Sequence, residues 1–219
     1  MSAAATILWK DLLSEWRSRA TATTTVVFAL LILLVFNFSL DLEGEHLSAV
    51  GPGLLWIALL LPAMFGLGRG IAEEYDRGTL EGTMLTPIDS ASLFVGTVAG
   101  NLVLALAVQV PLVVVFAILF PLPVVQPAFL PVLVLGSLGL ALLTTLVATM
   151  TSVARVRELL LPVLVLPLAL PILIASVAAT DQILRPGQTP PIPWVGVLAA
   201  FDGIFGVAAL WGFDRLLED

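Results

Sequence analysis

Six apolar runs, each about twenty residues or longer, constrain this chain more than anything else in it. They lie at about 20–40, 51–71, 91–119, 130–152, 159–179 and 194–213. An α-helix rises ~1.5 Å per residue, so about 20 apolar residues cross a ~30 Å hydrocarbon core. A helix also satisfies its own backbone groups inside lipid, where water cannot. The expected fold is all-α: a polytopic membrane protein with six transmembrane helices. Composition agrees, because 59% of the residues are hydrophobic and mean hydropathy is +1.10. A soluble domain of 219 residues leaves too much surface in water to hide that much apolar area.

Two spans carry predicted irregularities. The third exceeds what a bilayer requires, so it is expected to tilt or to kink at Pro111. The fifth contains Pro162, Pro167 and Pro171, which predict an interrupted hydrogen-bond ladder re-satisfied by neighbouring helices.

Basic residues are retained on the cytoplasmic side. With the N-terminus inside, Lys10, Arg17, Arg19, Arg69, Arg77, Arg155, Arg157 and Arg215 are cytoplasmic, and only Arg185 is outside. Both termini are therefore expected in the cytoplasm. The outer connections are 41–49, 120–129 and 180–193, none of them long enough for a folded outer domain. Preceding the first span, Trp9, Leu12, Leu13 and Trp16 form one helical stripe opposite Lys10, Asp11, Ser14, Glu15 and Arg17. Tryptophan favours the headgroup level, so this segment is expected to lie in the interface as an amphipathic helix.

Several function classes drop out. A net charge of −7 without a basic patch argues against a nucleic-acid partner. The chain has no cysteine, so thiolate, disulfide and Fe–S chemistry are absent. It has no GxxxxGK[ST] phosphate loop, no HExxH and no GxSxG. A single histidine, His46, rules out a paired-histidine metal site, and no metal site or catalytic group is expected. Only Asp202 lies inside a span, which leaves no aspartate pair for intramembrane proteolysis.

Three positions remain as candidates within or beside the membrane. His46, in the first outer connection, is a candidate haem contact through its imidazole, although a solvated loop histidine among acids is the commoner case. Asp202, in the middle of the sixth span, must be protonated, paired or facing a polar cavity. With Asn101 it forms a candidate intramembrane pathway, against the alternative of a structural interhelical contact. Gly96 with Gly100, and Gly66 with Gly70, have the spacing of close-packing helix faces.

The densest polar element is "EEYDRGTLEGTMLTP" at residues 73–87, in the cytoplasmic connection between spans two and three. Leu80, Met84 and Leu85 recur at helical spacing there, and Gly78 and Pro87 punctuate its ends. The pattern predicts a short amphipathic helix along the cytoplasmic surface, a docking element for a partner that pushes on the membrane domain.

The residues Glu74, Gly78, Thr79, Leu80, Glu81, Leu85, Thr86 and Pro87 resemble the cytoplasmic loop after the second span of ABC-2-type permeases. The wider run "GPGLLWIALLLPAMFGLGRGIAEEYDRGTLEGTMLTP" and the opening "LWKDLLSEWRSRA" resemble more narrowly the CcmB family, the haem-exporter permease of cytochrome c maturation. Thr83 and Met84 stand where that family usually has leucines. The resemblance implies a single ABC-2-type transmembrane domain over residues 1–219 in the cell inner membrane. It assigns coupling to an ATPase to Glu74, Asp76, Gly78, Thr79, Leu80, Glu81, Leu85 and Pro87. The implied partners are a CcmA-like ATPase that binds the ATP and CcmC-like and CcmD-like membrane proteins, with two permease copies or permease-like partners per complex. No cofactor is expected on this chain alone, with haem handled in the complex and delivered to a chaperone on the periplasmic side. The competing readings are an ABC-2-type exporter of a lipid, polysaccharide or drug, and an ion-coupled secondary transporter.

Overall fold

The computed structural model describes residues 20–40, 44–76, 90–151, 157–185 and 191–216, together with Thr6, Trp9 and Leu13. Six long helices account for nearly all of them. They are α1 (Ala20–Ser39), α2 (Gly44–Asp76), α3 (Ser90–Leu119), α4 (Phe129–Thr151), α5 (Arg157–Leu184) and α6 (Ile192–Leu216). Each is long and apolar enough to cross a membrane, and no strand occurs among the described residues. The chain is a multi-pass membrane protein.

Four of the helices follow the apolar runs closely, and two do not. Helix α2 begins at Gly44 rather than near 51, so Glu45 and His46 sit on its first turn and not in a loop. The polar letters of "DLEGEHLSA" suggest a loop, but Leu47 is only 2% exposed, and its packing holds that turn on the core. Helix α5 extends to Leu184, past the expected end at 179. Its last turn is closed by the Arg185 N–H donating to the Asp181 carbonyl (3.2 Å) and by an Arg185 Nε–Asp181 Oδ1 ion pair of 2.9 Å.

The prolines do not divide the helices. Helix α5 is continuous through Pro162, Pro167 and Pro171, and α3 is continuous through Pro111. A proline removes the bond to the carbonyl four residues earlier. For Pro167 and Pro171 those residues are Val163 and Pro167, both exposed on the outer face of α5. The lost bonds therefore fall where the inner packing does not depend on them.

Helices α2 and α4 form the inside of the bundle: 67% of the apolar stretch of each is buried, against 17% for α1 and α6. Helix α4 touches α2, α3, α5 and α6, while α1 leans on α2 and α3. Lipid tails are as apolar as leucine, so helix association here rests on close packing rather than on removal from water. The outward faces fit that setting, with Phe38, Ile118, Val207 and Trp211 exposed.

One connection is built in detail. After α3, the N–H groups of Leu122, Val124 and Gln126 each donate to the carbonyl two residues earlier. Such three-residue turns suit a central residue near φ −75°, which Pro121 and Pro123 favour. Phe120 and Val124 are thereby buried, and Leu122 presses on Gly51 of α2, where a Cβ has no room. Asn37 Nδ2 of α1 donates to the Leu119 carbonyl at 3.2 Å, tying the same end of the bundle together. Trp9 and Leu13, spaced for one helical face, are helical and exposed, as an interfacial stripe requires. Leu12 and Trp16 lie outside the described residues.

Candidate functional site

Helix α4 has bulky residues along most of its length but small ones at Gly136, Ser137 and Gly139. This stretch forms a polar core to the bundle. At Gly136 the indole of Trp56, from α2, lies close enough that an added Cβ would meet its ring carbons at 2.7 and 2.8 Å. Trp56 is fully buried, and its Nε1 donates to Thr180 Oγ1 of α5 at 2.8 Å. The Thr180 hydroxyl passes its own proton to the Ser176 carbonyl at 2.7 Å. Both polar ends of this contact are satisfied, as a buried indole N–H requires. Phe129 adds a tilted ring contact to Trp56 at 6.1 Å between centroids.

On another flank of α4, the Ser137 hydroxyl donates to Gln109 Oε1 of α3. Two turns further along, Asn101 Nδ2 donates to Thr145 Oγ1 at 2.9 Å. These pairs are eight residues apart on both helices, so they share one antiparallel register. Buried Ala105 and Ala141 fall halfway between them in the same register. Amide–hydroxyl pairs fix the seam, and alanines let the backbones approach.

The third flank meets α6. Asp202 is 7% exposed, and among the described residues neither of its carboxylate oxygens has a hydrogen-bond partner. It faces Gly139, where an added Cβ would lie 2.6 Å from Oδ1 and 2.8 Å from Ile172 Cδ1 of α5. Gly139 is therefore the space Asp202 occupies.

The sequence-derived candidates fare unequally. Asp202 is buried inside the bundle as its position predicts. Asn101 does not join it: Asn101 belongs to the α3 seam, six residues along α4 from Gly139 and on a different flank. His46 is exposed on the first turns of α2 rather than in a loop. Glu74 and Asp76 fall in the last turn of α2, while Gly78, Thr79, Leu80, Glu81, Leu85 and Pro87 lie outside the described residues. Gly96 and Gly100 are buried, in keeping with a close-packed face. No group of three His, Asp or Glu able to hold a metal occurs among the described residues. The residues the sequence reading missed are Trp56, Gly136, Ser137, Gly139, Ser176 and Thr180. Their one visible signal was the small-residue run Gly136-Ser137-Leu138-Gly139 in an otherwise bulky span.

Residues 2–213 match the family model described as CcmB protein. The chain belongs to the CcmB family. Among its relatives, Heme exporter protein B of Pseudomonas aeruginosa is 32% identical over 155 residues, 69% of this chain and 68% of the relative. Heme exporter protein B of Paracoccus denitrificans is 35% identical over 150 residues, 66% of this chain and 67% of the relative. The protein of that name from Rhodobacter capsulatus is 33% identical over 141 residues, 63% of each. For a CcmB-family membrane domain, the polar core around α4 is the part of the described structure where interhelical chemistry is concentrated.

Proposed function

We propose that this chain is the permease subunit of a haem-exporting ABC system serving cytochrome c maturation. The observation that carries the reading is the family match over nearly the whole chain, joined to relatives named as haem exporters. Six spans with short connections suit a membrane subunit that moves or hands over a cargo rather than one that transforms it.

The division of labour follows from the sequence. A chain with no phosphate-binding loop takes its work from a partner through a contact, since only differential binding shifts a conformational equilibrium. That partner is a CcmA-like ATPase, which binds the ATP. The contact is residues 73–87, continuing directly from α2, so a push there acts on one of the two inner helices. Glu81 faces the ATPase, Leu80 and Leu85 fill an apolar groove on it, and Glu74, Asp76, Gly78, Thr79 and Pro87 shape the element. The basic-residue distribution puts both termini and this element in the cytoplasm, and puts 120–128 and the start of α2 on the outer side. CcmC-like and CcmD-like membrane proteins complete the complex, with a second permease copy or a permease-like partner across the outward faces. Haem is the cargo of the complex, delivered to a chaperone on the outer side, and His46 at the outer end of α2 is the one imidazole available to touch it.

Affinity purification of the tagged chain from native membranes tests this. The expected result is a co-purifying ATPase together with haem-binding membrane companions, and loss of holocytochrome c in a deletion strain. Recovery of an ATPase with normal holocytochrome c in the deletion strain would point instead to an exporter of another substrate.

A further inference from the structure

Asp202 lies at the midpoint of the apolar stretch Ile192–Trp211, and Gly139 at the middle of Phe129–Ala148. The carboxyl is therefore as far from either membrane surface as this bundle allows. The elements around it offer no charge to balance it. Helix α4 contains no charged residue, and neither does α3, which reaches α6 through Phe94, Val98 and Ala209. On α5, Arg157 and Glu158 are at one end and Asp181 at the other. At ~1.5 Å per residue, Ile172 is about 13 Å from the nearer of these along the helix. On α6 itself, Asp214 and Arg215 occupy the last turns, twelve or more residues away. Among the described residues neither carboxylate oxygen has a hydrogen-bond donor, and Asp202 Oδ1 and Ile172 are what crowd the space beside Gly139.

A bare carboxylate in such surroundings is not sustained; a buried ionisable group either finds a counter-charge or neutralises. Among the described residues no cation lies beside the slot, and Asp202 is itself only 7% exposed. A proton fits. We propose that Asp202 is a proton-binding site at the middle of the membrane, its carboxyl held neutral in the slot that Gly139 leaves open on α4. The proton leaves only when water or another base reaches the carboxyl, which requires α6 to part from α4 at Gly139. Proton exchange at Asp202 is thus linked to opening of the α4–α6 seam.

Infrared difference spectra of the purified complex in lipid nanodiscs, wild type minus Asp202→Asn at neutral pH, read the protonation state directly. The expected result is a protonated-carboxyl C=O band that is lost in Asp202→Asn and moves to lower frequency in D2O. A hydrophobic carbodiimide, which attacks neutral carboxyls, should leave an adduct on Asp202 that mass spectrometry locates. Gly139→Ala serves as the second variant, because it leaves the carboxyl itself in place. It should keep the C=O band but shift it, as the added methyl crowds Oδ1. An ionised-carboxylate band in the wild-type difference spectrum, or a band that responds to exchange of sodium for potassium, would overturn the proposal.

Discussion

Helix α4 buries polar side chains on two seams, and the seams obey different rules. Toward α3, Asn101 meets Thr145 and Gln109 meets Ser137 in a single register. Toward α6, Asp202 meets a glycine and no hydrogen-bonding partner. The first seam is what close helix packing in lipid produces, with short polar side chains exchanging one bond each between small residues. The second has an ionisable group in a place prepared for it, yet without a protein partner. Burial alone does not distinguish a structural polar group from a functional one. Gln109 leaves its Nε2 without a partner yet keeps its contact with Ser137, whereas Asp202 is an ionisable group with neither oxygen bonded among the described residues.

The contrast can be broken or sharpened by substitution, with unfolding of the purified protein as the common readout. The largest effect is expected where α4 has no room to give. Gly136→Ala drives a methyl into the Trp56 ring, which its bond to Thr180 holds in place, and overpacking of this kind costs about 1–3 kcal/mol. A neutral outcome would show that α2 can retreat from α4 freely. Thr180→Val comes next, because it strands the Trp56 N–H in a dry interior at a cost of about 1–3 kcal/mol. Adding Trp56→Phe should recover part of that loss. A double-mutant cycle of Asn101→Leu and Thr145→Val should give a coupling energy near 0.6 kcal/mol, at most about 1.7, typical of hydrogen bonds between membrane helices. The smallest effect is expected for Asp202→Asn, which keeps the shape of a neutral carboxyl and should leave stability unchanged. If Asp202→Asn instead destabilises as much as the α3-seam variants, Asp202 is another structural contact and the contrast fails.

How much of this was legible beforehand depended on how local the signal was. Span number and helical class follow from long apolar runs, which few other structures accommodate. The start of α2 was misplaced because polarity was read as loop, whereas Leu47 decides the matter through a tertiary contact invisible in sequence. The three prolines of α5 were expected to interrupt its hydrogen-bond ladder, and two of the bonds they remove lie on the outward face, so the helix stays continuous. Asp202 stood out because a carboxylate in an apolar run is rare. Ser137, Thr145, Ser176 and Thr180 did not, because a membrane helix usually absorbs such hydroxyls by bonding them to its own preceding turn. Thr144 and Thr180 do make that local bond, the Ser137 hydroxyl has the carbonyl of Leu133 within reach as well as Gln109, and only the fold shows that Ser137 and Thr180 have partners on other helices. Asn101 was grouped with Asp202 for want of any sign that its partner was Thr145.

The proposed drive of the membrane domain by a separate ATPase rests on residues 73–87. The most direct test is co-purification of that ATPase with Glu81→Lys, alongside Glu43→Lys, from the connection expected on the outer side, as control. Removing one member of a desolvated charge pair costs about 2–5 kcal/mol, enough to separate subunits. Glu81→Lys is expected to insert normally but lose the ATPase and holocytochrome c, while Glu43→Lys behaves as wild type. Full ATPase recovery and full cytochrome maturation with Glu81→Lys would contradict it.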